Sequence, residues 1–353
     1  MHLSCAFGSE IVIGEGLDLG ALILKHLPKN IYKIAVITDA HVLKLHGDSV
    51  SSSLTKSSID HVLLPFSAGE KFKTRKTKEQ LEDLLLSHEF GRDSLIIALG
   101  GGVVSDVAGF IAATYARGVS FMSIPTTLMA MVDAAIGGKV GVNTPLAKNI
   151  IGAFYPASLI LIDTEFLKTE SNEGIKNGLA EVYKYAFIRS PHLLDLLTNN
   201  SSMYDIICAS CIIKKEIVEE DPKEKGKRAI LNFGHTIGHA LETASHYTLP
   251  HGFAVAHGMR IESFISHSLG YLSQKDLECI EHHLQDFPIP AITHPEKIYQ
   301  ALTLDKKNKG SKPRFVLLEK IGSPLSCGGS YCQEVPREII EKAILYSPRW
   351  KKS

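Results

Sequence analysis

The stretch SLIIALGGGVVSDVAGFIAATYARG (94–118) decides the fold. Its first seven residues form a nearly all-apolar run of the length of a strand, which is the pattern of a strand covered on both faces. A helical period begins after Gly102. Three glycines, Gly100 to Gly102, separate the two, so backbone N–H groups at the helix start can approach a phosphate with no Cβ in the way. The motif is not a full G-x-G-x-x-G: Ser105 holds the third place, and Asp106 enters the first helical turn. Taken by itself the segment also suits a plain strand-to-helix turn, with Asp106 favoured by the helix dipole.

The same rhythm repeats on either side. YKIAVITD (32–39) precedes a helix, HVLLPF (61–66) precedes KEQLEDLLLSHEF, and SFMSIP (120–125) precedes TTLMAMVDAAIG. Apolar strands alternating with helices predict a mostly parallel sheet with helices on both faces, an α/β nucleotide-binding domain. Thr126 and Thr127 follow a strand's carboxyl end, where open α/β sheets hold ligands. After LILID (159–163) the pattern becomes successive helical periods, from about 173 to 286. A hairpin is expected around RFVLLEKIG (314–322), and a closing helix at PREIIEKAIL. The expected division is an α/β domain over 1–165 and a mainly α-helical C-terminal domain over 166–353.

Composition narrows the function. The chain has 353 residues, 44% of them hydrophobic, and 38 basic residues balance 38 acidic ones. Such a balance gives no global attraction to nucleic acid or to anionic membrane, so any anion is handled locally. No apolar run approaches the ~20 residues of a membrane span. The opening MHLSCAFGSEIVIGEGL lacks a basic stretch followed by an apolar one, so a soluble, cytoplasmic protein is expected. Cys208 and Cys211 form a C-x-x-C within SMYDIICASCIIKKEIVEED, whose spacing reads as one amphipathic helix. Buried or idle thiols are expected there; the other cysteines are Cys5, Cys279, Cys327 and Cys332.

Sixteen histidines are a high count. NFGHTIGHALE (232–242) sets His235 and His239 on one helical face. The spacing is that of a zinc protease, but Thr236 stands where the general-base glutamate belongs, which disfavours peptide hydrolysis. His251 lies in LPHGFAVAHG, and Glu181 lies in LAEVYKYAF with Lys184 one turn later. A glutamate and two histidines suit zinc with an open position. Elsewhere IGGKVGVNTPLAKNIIGAF (136–154) carries Lys139, Asn143, Lys148 and Asn149 with no apolar stripe to hold a surface helix. Lys214, Lys215, Arg228, Asn232, Lys306 and Lys307 follow. Cations on glycine-rich loops of a neutral chain suit a small, multiply anionic ligand, although each alone also reads as solvated charge.

In order, LGGGVVSDVAGF, ATYARG, IPTTLMAMVDAAIGGKVGVN, PLAKNIIGAF, GLAEVYKY, RAILNFGHTIGHALE and HGFAVAHGM closely resemble the 3-dehydroquinate synthase family. SAGEKFKT (67–74) and LTLDKKNKG (302–310) match more weakly. The resemblance implies a Rossmann-like N-terminal domain, a helical C-terminal domain and a homodimer. It implies NAD and one divalent metal per subunit, zinc with cobalt as the alternative. The implied reaction, a step towards aromatic amino acids in the shikimate pathway, turns 3-deoxy-D-arabino-heptulosonate 7-phosphate into 3-dehydroquinate and phosphate. Transient oxidation by NAD, phosphate elimination, re-reduction, ring opening and an intramolecular aldol closure make up that sequence.

By the same resemblance Glu181, His235 and His251 are metal ligands, and His239 is an active-site histidine instead. Asp133, Lys139, Lys148, Asn149, Lys184, Lys214, Arg228 and Asn232 match substrate positions, with Arg117 reaching into a partner subunit. Asp39, Glu70, Lys73, Gly101, Gly102, Asp106, Thr126 and Thr127 match NAD positions, which Lys139 and Lys148 also adjoin. Three residues depart from the family pattern: Ser105 for a glycine, His41 for an asparagine, and Phe253 for the glutamate of H-G-E. The last removes a carboxylate two residues from His251 and puts support of that ligand in question. The rival readings are a sibling sugar-phosphate cyclase, a metal-dependent polyol dehydrogenase, and a silent binding protein of the same fold. Arg228 with Asn232 suits a substrate carboxylate, and the lysines between 139 and 149 suit no neutral polyol.

Overall fold

The computed structural model describes residues 1–29, 31–245, 248–287, 295–304 and 312–346. They fall into two compact units, the first made of residues 1–175 and 202–219, the second of 176–201 and the described residues from 220 onward.

Nine strands lie in the first unit: β1 His2–Ser4, β2 Glu10–Gly14, β3 Lys33–Asp39, β4 His61–Phe66, β5 Ser94–Gly100, β6 Ser120–Pro125, β7 Lys139–Thr144, β8 Ala147–Phe154 and β9 Leu159–Asp163. Seven of them form one sheet in the order β1-β2-β9-β6-β5-β3-β4. Its pairs are parallel except β1 with β2. Every residue of β5 and of β9 is buried, as continuous apolar runs require. The expected α/β architecture is therefore present, with all five expected strands in it. The register sets Asp39 beside Phe66 and Gly100 beside Pro125, which lines up the carboxyl ends of β3, β4, β5 and β6.

The helix Gly102–Thr114 is buried on most sides. Gly109 permits this, because a Cβ there would sit 2.4 Å from Val140 Cγ1. Two expectations need correction. The segment 136–154 is not a set of glycine-rich loops but the antiparallel hairpin β7–β8. Alternation is weak there because β8 is exposed or half-buried along its whole length. After β6 the chain makes a short helix with a π turn over Ala130–Ala134, a wide turn that carries Asp133.

The helix Met203–Glu220, which holds the C-x-x-C, belongs to the first unit through residue 219. The Met1 ammonium donates to Tyr204 Oη at 2.8 Å, and the Ala6 N–H donates to Glu219 Oε1 at 2.6 Å. Cys211 is fully buried and its thiol lies 3.5 Å from the Met131 carbonyl oxygen, so burial pushes its pKa far up, as an idle thiol requires.

The second unit is mainly helical. Its central helix, His251–Ser268, is buried from Gly252 to Ser266. It crosses the helix His235–Ala244 at glycine contacts, where a Cβ on Gly258 would lie 1.9 Å from the Gly234 carbonyl oxygen. Leu318–Lys320 and Ser323–Pro324 make the expected late hairpin, while Arg314–Val316 pairs with Cys332–Glu334. Arg337–Leu345 is the closing helix. Among the described residues no helix is long and apolar enough to cross a membrane.

Candidate active site

In the second unit three helices converge. Asn172–Ile188 supplies Glu181 and Lys184, His235–Ala244 supplies His235, His239 and Glu242, and His251–Ser268 supplies His251 at its first position. Glu181 is fully buried, and its Oε1 has no hydrogen-bond partner. His235 Nε2 and His251 Nε2 lie 3.6 and 3.7 Å from that oxygen. Tetrahedral ligands at ~2.0–2.1 Å from zinc stand about 3.3 Å apart, so three such atoms fit one dication.

The opposite ring nitrogens are engaged as metal-ligating imidazoles require. His235 Nδ1 lies 3.2 Å from the Phe233 carbonyl oxygen, and His251 Nδ1 lies 3.5 Å from Glu242 Oε2. The protonation tendencies follow from the neighbours. Burial, then Lys184 and the other two imidazoles, hold His235 well below its ordinary pKa. Burial opposes charge on His251 as well, but the Glu181 and Glu242 carboxylates raise it to about 10.

His239 packs at 5.5 Å from the His235 ring and 6.1 Å from the His251 ring. A second set of atoms close enough to share an ion is His239, Glu242 and His251. It shares His251 with the Glu181 set, in which His235 Nδ1 and His251 Nδ1 each keep a second partner. The buried Lys184 ammonium pairs with Glu181 Oε2.

Arg228 and Asn232 sit in the 3-10 turn Lys227–Asn232. Arg228 is 1% exposed and its Nη1 donates to the Pro222 carbonyl oxygen at 2.8 Å. Asp221 organises this loop: its carboxylate accepts N–H bonds from Lys225, Gly226 and Arg228. Burial works against ionisation of Asp221, yet these bonds keep its pKa low. Asn232 Nδ2 donates to Glu224 Oε1 at 2.9 Å.

Many of the remaining expected residues lie in the first unit near the carboxyl ends of the strands, whereas Arg117 precedes the amino end of β6 and Lys139 begins β7. Lys73 is buried and its ammonium donates to Asp106 Oδ2 and to Asn149 Oδ1, the latter at 2.6 Å. Burial raises the Asp106 pKa, and the Lys73 charge acts against that rise. The hairpin β7–β8 is tied to this cluster: Asn143 N–H donates to the Lys73 carbonyl, Asn143 Nδ2 to Glu70 Oε1, and Lys148 Nζ lies 3.8 Å from Glu70. Lys214 Nζ donates to Asp133 Oδ1 at 2.6 Å, which brings the helix Met203–Glu220 to the wide turn.

Gly101 caps the helix Gly102–Thr114 with no side-chain hydrogen bond, and the first intrahelical bond runs from Ser105 N–H to the Gly101 carbonyl. The N–H groups before Ser105 therefore point out of the helix start, suited to an anion. A Cβ on Gly101 would lie 3.2 Å from Thr127 Cγ2, and one on Gly102 3.3 Å from Ala134 Cβ, so the turn is tight against the end of β6. Thr126 is buried beside it. Asp39 accepts N–H bonds from His41 and Val42 at 2.8 and 2.9 Å. Lys139 and Arg117 are exposed, the latter at a left-handed φ of 69°. Lys306 and Lys307 lie outside the described residues.

Three residues of these clusters escaped the sequence reading of roles: Glu242, Glu224 and Glu262. Glu242 carried a signal, since 235, 239 and 242 follow the i, i+4, i+7 spacing of one helical face. Glu262 carried none. It is fully buried on the helix His251–Ser268, and its carboxylate accepts the Gly234 N–H at 2.7 Å and the Ile237 N–H at 3.4 Å.

Comparison with known proteins fixes the kinship. The family model for the N-terminal part of 3-dehydroquinate synthase matches residues 63–177, and that for its C-terminal part matches 178–308. The chain belongs to the 3-dehydroquinate synthase family. It is 41% identical over 351 residues to the 3-dehydroquinate synthase of Nitrosospira multiformis, covering 96% of this chain and 94% of that one. Among solved structures, 2-deoxy-scyllo-inosose synthase in complex with carbaglucose-6-phosphate, NAD+ and Co2+ is similar, with a TM-score of 0.88 and 25% identity over 98% of this chain and 99% of that one. So is the 2-epi-5-epi-valiolone synthase of Streptomyces hygroscopicus with NAD+ and Zn2+ bound, with a TM-score of 0.83 and 27% identity over 96% of each chain.

The three departures from the 3-dehydroquinate synthase family pattern have physical settings here. Ser105 lies inside a helix at negative φ, where a small side chain costs little. His41 is exposed on the short helix that Asp39 caps. Phe253 is buried edge-on against Phe287, at 5.9 Å between ring centroids. The carboxylate facing His251 Nδ1 is Glu242, on a neighbouring helix.

Proposed function

We propose that this member of the family converts 3-deoxy-D-arabino-heptulosonate 7-phosphate into 3-dehydroquinate and phosphate. The observation that carries the reading is the meeting of Glu181, His235 and His251 around one point, with the outer nitrogens of both imidazoles already engaged. Those three residues hold one divalent ion, zinc with cobalt as the alternative. Asp39, Glu70, Lys73, Gly101, Gly102, Asp106, Thr126 and Thr127 bind NAD, with Lys139 and Lys148 adjoining. On this reading 1–165 is the NAD-binding domain and 166–353 the metal- and substrate-binding domain. The bound groups supply reversible hydride transfer at the substrate C5 and Lewis-acid polarisation of its hydroxyl.

The chain's own residues do the rest. The buried charge of Arg228, oriented by the Pro222 carbonyl, reads the substrate carboxylate, with Asn232 beside it. Lys139, Lys148 and Asn149 hold the phosphate and stabilise the charge that departs with it. Lys214 and Asp133, already paired, orient ring hydroxyls. His239 and Lys184 carry protons to and from the hydroxyls near Glu181. Abstraction of the C6 proton falls to the substrate's own phosphate. A homodimer completes the reading. Leu146, Ile150 and Phe154 are exposed on the hairpin β7–β8, an apolar patch suited to a second subunit. Arg117 is the residue assigned to the partner's site. The expected location is the cytoplasm, where phosphorylated sugars are kept.

The test supplies the heptulosonate phosphate with catalytic amounts of NAD and zinc, and follows phosphate together with absorbance of NADH. Phosphate without accumulating NADH supports the synthase, accumulating NADH supports a dehydrogenase, and neither supports a silent protein. Arg228→Ala is expected to raise KM about 10 to 100-fold, the scale of a charge-assisted hydrogen bond. Unchanged kinetics would remove the carboxylate role.

A further inference from the structure

A second cluster of nitrogen and oxygen donors lies at the β1 edge of the sheet, in the first unit. His2 begins β1, Glu10 begins β2, and His26 ends the helix Leu19–His26. The antiparallel register pairs His2 with Val12 and Ser4 with Glu10, so His2 and Glu10 are diagonal neighbours on one face. Their side chains and that of His26 converge on one carboxylate oxygen: His2 Nε2 is 3.2 Å and His26 Nε2 is 3.0 Å from Glu10 Oε2.

The tautomer of His26 makes this arrangement informative. Its Nδ1 lies 2.7 Å from the Leu22 carbonyl oxygen, which only accepts, so Nδ1 carries the hydrogen. In the neutral ring the lone pair of Nε2 then faces a carboxylate oxygen at 3.0 Å. Two electron-rich atoms at that distance repel, and either a proton on Nε2 or a metal ion between them removes the repulsion. A backbone carbonyl fixing the outer nitrogen and leaving Nε2 bare is also the preparation seen at metal-ligating imidazoles. The two separations approach the ~3.3 Å between ligands of a tetrahedral zinc, and the three donor atoms all fall within 4.8 Å of one another.

We propose that His2, Glu10 and His26 form a second divalent-metal site, for zinc or another borderline dication such as cobalt or nickel. Two imidazoles and a carboxylate are donors of that class, whereas calcium and magnesium prefer oxygen alone. The half-exposed setting leaves a further position for water. The site ties the β1–β2 pair to the end of the first helix, and it is separate from the Glu181 set in both residues and unit.

The test strips the untagged enzyme with chelator, titrates it with zinc, and counts tightly bound equivalents per chain after gel filtration. His26→Gln and, as a second variant, Glu10→Gln are each expected to bind one equivalent fewer than the parent and to keep its turnover. His192→Gln, which alters an exposed histidine 3.6 Å from Asp195, is expected to bind the parent's number. Glu181→Gln is expected to keep the equivalent that His26→Gln loses, which separates this site from the catalytic reading. Equal stoichiometry in the parent, His26→Gln and Glu10→Gln overturns the proposal.

Discussion

Glu242 shows how much a single carboxylate decides. It stands 3.5 Å from His251 Nδ1 and is 4% exposed, so it fixes which nitrogen of that ring faces Glu181. Glu242→Gln keeps the shape and removes the charge. It is expected to lower zinc affinity about 10 to 100-fold, the usual cost of losing such a partner, with little change in melting temperature. Competition against a chromophoric chelator measures it, and an unchanged affinity would show that His251 needs no help. The closeness of Glu181, His235 and His251 was anticipated through the family resemblance, spacing alone having picked out the pair His235 and His239. What spacing left open was the place of His239. His235 and His239 share one helical face, so spacing does not distinguish them.

At the scale of elements, the helix that carries His235 and His239 begins against a buried acid. Glu262 takes the place of an N-cap from the neighbouring helix, accepting N–H bonds at Gly234 and Ile237. Burial raises its pKa from the ordinary 4.5 to about 8, against the pull of those bonds. In this folded chain the acid binds its proton more tightly than in the unfolded one. Its contribution to stability is therefore complete below about pH 4.5 and is lost as the pH rises through about 8. Denaturation of the parent and of Glu262→Gln across that range is expected to show a smaller loss of stability in the variant. Parallel curves would mean that Glu262 does not titrate there. No sequence pattern marks this residue, since a glutamate inside an apolar helix reads equally as an exposed face. The strands were legible for the opposite reason: β3, β5, β6 and β9 are mostly apolar, and their inner residues are buried. The hairpin β7–β8 was not, because its pairing rests on small residues such as Gly141 and Gly152, whose backbones nearly touch.

For the molecule as a whole, subunit association is the open quantity that the surface addresses. Ile150 and Phe154 are 60% and 52% exposed on one strand, with Leu146 at the turn before it. Ile150→Glu combined with Phe154→Glu is expected to shift sedimentation from dimer towards monomer and to lower activity with it, while the circular dichroism of each chain stays the same. A dimer of undiminished strength would place the interface elsewhere. Domain order was legible as a change from strand-and-helix alternation to helices alone. The membership of Met203–Glu220 was not, because periodicity reports that a face is buried and never by what.

That membership constrains the order in which the protein can be made. A nascent chain that has emerged only as far as residue 175 has its whole sheet but lacks the helix that seats Cys211 at Met131 and pairs Lys214 with Asp133. Until the ribosome has extruded Glu219, that face of the first unit stays wet and adhesive. A truncated gene ending at the last strand would yield a sticky fragment, and a cut between the halves would have to spare this returning segment.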